Sequence, residues 1–447
     1  MRKISLIVFL VSVLVLILAT YSFATSPYGD ICPDGRVDVK DAVVLAQHLA
    51  GWKASVSLID LRFADVNCDA SVDIKDAVTL SQYLAKWDVI LGSETETIDM
   101  IYTRGELLAV IKAAYESKGT IIGEINSAKY DNMINIAIED FKSASGGYLP
   151  GMIGLDIGDA FMSGYTSNNQ IDEMVEQITE YAKMGGIVHT WMHMTNPSPR
   201  PEDKTAWNHI WAKLGNHTEE DWQQLLTEGT EYNTKLKTAL DKTASFLKRL
   251  RDNGVPVIWR PYHEHSGTWF WWCMGFKDSE GNYLPEHYFS DLWIYTYKYF
   301  TEEWGLDNLV WMFCPTTGDY APQLYGYPGD EYVDLVGFDW YTGGDYHGQD
   351  MAYNSVVTTG KPVCVGEFGV AGEAKAEKIE DQPSVWSCEN LLEFLETADA
   401  EGRKYGFWCN WSTPHQLSQL GKLDVLMESP LVYGLDEVKK LFESLNK

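Results

Sequence analysis

Positive charge is scarce in this 447-residue chain: 35 Lys and Arg stand against 64 Asp and Glu, a formal net charge of −29. That balance argues against nucleic acid or an anionic membrane surface as a partner, because both attract basic patches. Cysteine is scarce too. The seven (Cys32, Cys68, Cys273, Cys314, Cys364, Cys388, Cys409) are odd in number, irregularly spaced and without a CxxC pair, which excludes a disulfide framework and a strong zinc signature. Long apolar runs are absent after Thr20. With 45% hydrophobic residues the chain is too apolar for disorder, and its length exceeds the usual prior for one domain. Aromatics are plentiful instead: 17 Trp, 25 Tyr and 16 Phe, side chains that fill cores and also stack on the apolar faces of sugar rings.

Met1-Arg2-Lys3 precedes an apolar run from Ile4 to about Thr20, and Ser22 and Ala24 supply small residues at a cleavage site. This pattern predicts a secretory signal peptide over residues 1–24. The alternative is an uncleaved anchor, since the run approaches the length of a membrane span. Cleavage makes the expected product secreted and extracellular, with no membrane attachment.

Next comes a repeat. VDVKDAVVLAQHLAGW (37–52) aligns without a gap with VDIKDAVTLSQYLAKW (72–87). Upstream, Asp30, Cys32, Asp34, Asp38 and Asp41 match Asp65, Asn67, Asp69, Asp73 and Asp76, which are positions 1, 3, 5, 9 and 12 of a twelve-residue loop. A hard cation such as Ca²⁺ takes six to eight oxygens, and alternate side chains in a tight loop supply them. Ala42, Leu45, Ala46 and Leu49, matched by Ala77, Leu80, Ser81 and Leu84, predict an amphipathic helix after each loop. The plainer alternative makes these aspartates ordinary helix caps, which the doubled pattern disfavours. Residues 29–87 resemble a dockerin, the module that attaches secreted enzymes to cellulosomal scaffolds. The resemblance implies Ca²⁺ held by Asp30, Asp34, Asp38 and Asp41 and by Asp65, Asn67, Asp69, Asp73 and Asp76, and a cohesin module of a scaffoldin as partner. Two departures stand out: Cys32 offers sulfur where oxygen is expected, and Ala70 replaces the turn glycine that Gly35 provides in the first loop. Spacing leaves a Cys32–Cys68 disulfide open. The domains expected are a calcium-binding module over 25–90, a polar linker over 91–98 and a larger domain over 99–447.

In that larger domain eight apolar, β-rich runs alternate with helical segments: 120–125, 148–157, 185–194, 255–262, 308–315, 332–341, 361–369 and 404–411. The pattern predicts an α/β fold of the (β/α)₈ TIM-barrel type, whose active site lies where strands end. Those ends collect His263-Glu264-His265, Asp339-Trp340-Tyr341, Glu367 and Asn410-Trp411. A carboxylate at the end of a buried strand is costly unless paired. Either glutamate alone reads as a rim salt bridge; two of them ringed by Trp, His and Tyr point to acid–base chemistry, and glycoside cleavage needs such a pair.

RPYHEHSGTWFWW, VGEFG, GGIVHTWMHMTNP and VGFDWY resemble the β-mannanases of glycoside hydrolase family 26, which belong to a retaining (β/α)₈ clan. The resemblance covers most of residues 100–415. It implies an endo-β-1,4-mannanase acting on mannan, glucomannan or galactomannan without a catalytic metal, with Glu264 as general acid/base and Glu367 as nucleophile. Retention implies carboxyls about 5–5.5 Å apart, a raised pKa on Glu264 and an ionised Glu367. By the same resemblance Tyr341 donates to the nucleophile, Arg260 organises the carboxylate cluster, Asp339 belongs to the substrate-binding set, His193 meets the sugar, and His263 holds the local network. Trp411 floors the subsite at the cleaved bond, Trp269 is a platform beyond it, and Trp207 and Trp211 line distal subsites. Arg260 could instead be a plain ion pair, and His189 and Trp272 read as core. Departures at His265, Ser266 and the HTWMH string touch subsite walls and keep mixed-linkage β-glucan or β-1,3-xylan open as polymers. A non-catalytic carbohydrate-binding barrel is the rival of another class. Cys314, Cys364 and Cys409 read as small buried hydrophobes.

Overall fold

The computed structural model describes residues 29–32, 36–52, 63–67, 71–86, 91, 100–126, 133–158, 168–199, 218–342, 349–370, 387–412 and 415–445. The expected signal peptide and most of the expected linker lie outside the described residues, as do Asp34, Cys68, Asp69, Trp207 and Trp211. The chain divides into two compact units, residues 1–99 and 100–447.

In the first unit, helices α1 (Val39–Leu49) and α2 (Ile74–Leu84) occupy equivalent positions of the repeat. Asp38 and Asp73 cap them, with Asp41 and Asp76 completing capping boxes; each cap stabilises its helix by about 1 kcal/mol. The cap reading is therefore realised at Asp38 and Asp73, within the same loop pattern. Asp41 also accepts the backbone N–H of Cys32 at 2.8 Å, and Asp76 that of Val66 at 2.9 Å, so each folds its loop back on the helix start. Ile31, Val44, Leu45, Val66 and Leu80 form a small core. Leu91, which sequence assigns to the linker, is buried in that core and belongs to the module.

The second unit is a closed parallel barrel. Its strands are β1 (Thr120–Asn126), β2 (Met152–Asp156), β3 (Ile187–Trp191), β4 (Val257–Arg260), β5 (Leu309–Phe313), β6 (Leu335–Thr342), β7 (Val363–Val370) and β8 (Phe407–Asn410). Each lies in or extends by a residue one of the eight apolar runs. β1 pairs with both β2 and β8 and so closes the ring. A two-residue strand, β9 (Val432–Tyr433), adds to the start of β1 and was not legible in the sequence. Helices α3 (Arg104–Glu116), α4 (Met133–Ala144), α5 (Asn168–Lys183), α6 (Glu219–Leu226), α7 (Glu231–Asp252), α8 (His287–Lys298), α9 (Asp350–Val356), α10 (Cys388–Ala400), α11 (Leu423–Met427) and α12 (Leu435–Leu445) accompany the strands. α7 shows why they form: Leu236, Leu240, Ala244 and Leu247 recur on one buried face, Thr230 caps the start, and Gly254 at φ 78° follows its end.

Alternation along each strand sorts the core into two layers. Ile121, Met152, Ile187, Ile258, Met312, Cys314, Cys364 and Cys409 fill the barrel interior, with α3 packed against its lower end. Ile122, Leu155, Val188, Trp259, Trp311, Val336, Val365 and Trp408 face the helices. Cys364 and Cys409 are thus small buried hydrophobes, as expected, whereas buried Cys314 also donates its thiol to Asp339. Among the described residues no helix is long and apolar enough to cross a membrane.

Candidate active site

The inward phase of β4 brings Arg260 to the barrel mouth, fully buried. The chain then kinks: Tyr262 (φ 51°) and Glu264 (φ 56°) both adopt left-handed backbone, a conformation costing a non-glycine residue about 1–3 kcal/mol. Packing holds it there. The Glu264 N–H donates to the Cys314 carbonyl at 2.7 Å, while its own carbonyl accepts from the Gly267 N–H at 2.8 Å and the Cys273 thiol at 3.3 Å. The turn aims the Glu264 carboxyl into a site where it is only 7% exposed and accepts the Trp269 indole N–H at 2.5 Å. Burial pushes its pKa well above the usual carboxylate range, and the charges of Glu367 and Asp339 push the same way.

On β7 the register slips between Val365 and Phe368, leaving Gly366 as an extra residue opposite β6. The bulge resets the alternation. Cys364 faces inward and Phe368 outward, and Glu367 is turned to the interior alongside Gly366. A Cβ on Gly366 would stand 2.7 Å from an Asp339 oxygen and 3.1 Å from Arg260 Cδ, so only glycine fits. Glu367 is held on every side. Arg260 Nη2 donates to Oε1 at 2.6 Å, Tyr341 Oη donates to Oε2 at 2.8 Å, and His263 Nε2 lies 3.7 Å from Oε1. Arg260 also ion-pairs with Asp339, which accepts the Cys314 thiol at 3.1 Å. Burial opposes the guanidinium's charge, but the two carboxylates outweigh it and keep Arg260 protonated. Burial and the Arg260 charge hold His263 neutral. Burial, then the Glu367 and Glu264 charges, raise Tyr341 and keep it a donor.

His193, just past β3, bonds through Nδ1 to Asp156, whose other oxygen accepts the His193 backbone N–H at 3.1 Å. That carboxylate fixes the tautomer and leaves Nε2 as the polar tip. His193 meets His263 edge-on at 4.6 Å and Trp411 at 6.4 Å; Trp411 in turn lies 5.8 Å from Trp191. Trp272 and His189 are buried as core, as expected. The structure therefore brings Glu264, Glu367, Arg260, Asp339, Tyr341, His193, His263, Trp269 and Trp411 to one end of the barrel. Asp156, Cys314 and Gly366 belong with them, and sequence reading missed all three. Asp156 carries the signal that found the others, an acid ending an apolar strand. His263, Asp339 and Glu367 could present three ligand atoms to a metal, but the Arg260 guanidinium already supplies the cation between the two acids.

Residues 102–392 match the model of glycosyl hydrolase family 26, and residues 28–85 that of the dockerin type I domain. The chain belongs to glycosyl hydrolase family 26. A mannan endo-1,4-beta-mannosidase of Bacillus subtilis is 30% identical over 230 residues, 51% of this chain and 59% of that protein. The family 26 chain thus spans about three fifths of that relative's length. Among solved structures, the YdhT protein from Bacillus subtilis superposes with a TM-score of 0.58 at 22% identity, covering 74% of this chain and 90% of its own, and shows the fold. A beta-mannanase from a symbiotic protist of the termite Reticulitermes speratus, complexed with gluco-manno-oligosaccharide, gives 0.54 at 25% identity, covering 74% and 92%.

Proposed function

We propose that this family 26 chain is a secreted endo-β-1,4-mannanase that hydrolyses mannan, glucomannan or galactomannan with retention and joins a cellulosome through its dockerin. The observation that carries the reading is the unequal setting of two buried carboxyls at one barrel mouth: Glu264 biased to keep its proton, Glu367 held by Arg260 and Tyr341. In the first step Glu264 gives its proton to the glycosidic oxygen as the C–O bond breaks, and a Glu367 oxygen bonds to the anomeric carbon. In the second, Glu264 takes a proton from water, which attacks that carbon and releases Glu367. His193 and Trp411 orient the sugar at the cleaved bond, and Trp269 supports the leaving side. Reducing-sugar release from galactomannan, glucomannan, barley β-glucan and β-1,3-xylan, with the anomer followed by NMR, tests this. Release from the mannans as the β-anomer is expected; no release from any mannan overturns the substrate, and initial α-anomer overturns retention.

In the dockerin, the donor set suits a hard cation. Asp30, Asp38, Asp41, Asp65, Asn67, Asp73 and Asp76 offer oxygens, and buried Asp76 is pushed up by burial and, in smaller part, by the Asp65 charge, a repulsion that a cation would relieve. Calcium would there supply positive charge that ties loop to helix. The repeat also exposes equivalent apolar residues, Val39 with Ile74 and Val43 with Val78, which suit a protein partner such as cohesin. Chelation is expected to abolish cohesin binding and the circular dichroism of the module; unchanged signals overturn the calcium role.

A further inference from the structure

One buried acid takes no part in this chemistry. Glu124 lies on the outward face of β1, 2% exposed, in register with Asn410 of β8. It borders a small cavity lined by Ile134, Ala137, Ile138, Pro150, Ile153 and Leu155. An acid in such a wall is costly unless its oxygens are met. One residue meets both: the Ser418 N–H donates to Oε2 and the Ser418 hydroxyl bonds Oε1, each at 3.0 Å.

Ser418 belongs to the segment leaving β8, in the turn Leu417–Gln419. That segment begins with Trp411 and includes His415, whose ring meets Tyr341 edge-on at 6.2 Å. Asn410 Nδ2 holds the His415 carbonyl at 2.8 Å. Residues 415–419 are thus fixed near the site by Asn410 and farther along by Glu124.

We propose that Glu124 is a positioning residue which, from outside the barrel wall, pins Ser418 and with it the stretch 415–419 that carries His415 to the rim beside Tyr341. The inference rests on the reading of Tyr341 as the donor to the nucleophile. Protonation sets what it costs to keep this acid in the wall. Burial raises Glu124 to about 7 against the Ser418 hydrogen bonds, and Asp140 of α4 adds to the rise. The Cys388 thiol at the start of α10 and, from the interior side of β8, the Cys409 thiol also lie within its electrostatic reach, both raised by burial and so neutral. As a neutral acid, Glu124 accepts the Ser418 N–H with one oxygen and donates to the hydroxyl with the other. Once ionised it accepts from both Ser418 donors, but as a charge in an apolar wall and against the Asp140 carboxylate, a cost that opening the segment to water relieves. Because the folded pKa is raised, this group's stabilising share is complete below the ordinary carboxylate range and is lost as pH rises toward 7.

Glu124→Gln reproduces the neutral pairing and cannot ionise; Glu124→Ala removes it. Both are compared with wild type by kcat and KM between pH 5 and 8 on whichever β-glycan the wild type degrades fastest, and by amide hydrogen exchange of residues 415–419. Glu124→Ala is expected to speed exchange there and lower kcat/KM by about ten- to a hundredfold, the scale for a misplaced orienting group. Glu124→Gln is expected to restore both at pH 6 and to keep the exchange protection of residues 415–419 above pH 7, where that of wild type falls. Wild-type kcat/KM in Glu124→Ala despite faster exchange, or equal impairment of both variants, overturns the proposal. If the alanine variant does not fold, the protection of residues 415–419 in Glu124→Gln between pH 5 and 8 decides: a loss above pH 7 like that of wild type overturns it. Inactivity of the wild type on every mannan would sink the substrate reading alone, because exchange at 415–419 still reports whether Glu124 holds the segment.

Discussion

The ends of β4 and β7 present the same side chain to the same space and treat it oppositely. Glu264 has one neutral donor, the Trp269 indole, and burial plus two neighbouring carboxylates drive it toward the protonated form. Glu367 has a buried guanidinium, a phenol and a neutral imidazole around it. The fold imposes this difference by two backbone irregularities, a left-handed turn at Glu264 and a bulge at Gly366. In the proposed mechanism the two carboxyls become an acid and a nucleophile through their surroundings, not their chemistry. The largest expected effect comes from deleting the better-held partner. Glu367→Ala should cut kcat on the order of 10⁴-fold or more, measured by reducing-sugar release; near-normal turnover would favour a barrel that only binds carbohydrate.

The comparison blurs if Arg260 is removed. Arg260→Met strips the positive charge from Asp339 and Glu367, both nearly inaccessible, and breaking such a buried pair costs about 3–5 kcal/mol. The melting temperature should fall steeply, and what folded enzyme remains should lose roughly 10²–10³-fold in kcat, the scale of a lost electrostatic contact. A variant as stable as wild type would mean that one of the two acids is neutral in the native protein. A smaller effect is expected from Gly366→Ala, whose methyl must displace the Asp339 oxygen or Arg260. Overpacking of this kind costs about 1–3 kcal/mol, and kcat should drop about tenfold with KM little changed.

Why the sequence showed Glu264 and Glu367 but not Gly366 or Asp156 has a physical answer. Strand ends in a barrel can be counted from apolar runs, and a charged residue after such a run is conspicuous because burying it is costly. The bulge leaves no such mark: GEFG reads equally well as a regular strand, and only the inward turn of Glu367 beside an inward Gly366 reveals the extra residue. Asp156 bore the same mark, an acid closing an apolar run, but its role lies in the bond to His193, which comes from another strand and leaves no trace in the sequence. In the dockerin the opposite held, since a repeat makes each aspartate testify for its copy. Cys314 could not be found at all. Its role is one hydrogen bond to Asp339, a pairing set by tertiary packing.

The finest test concerns the one donor on Glu264. The Trp269 indole N–H lowers the pKa of that carboxyl against the larger effect of burial. Trp269→Phe keeps an aromatic face for the sugar and removes only the N–H. The Glu264 carboxyl should then hold its proton to higher pH. The alkaline limb of kcat/KM, which reports the acid in the free enzyme, should move upward by a few tenths to one pH unit. Stability follows the same sign: folded Glu264 keeps a proton that the unfolded chain has released, so stability is lost as pH rises from the carboxylate range through the raised pKa. The variant stretches that window further. An alkaline limb that stays in place would show that another group controls it, and a downward shift would mean that the indole favours the neutral acid, donating to its carbonyl oxygen.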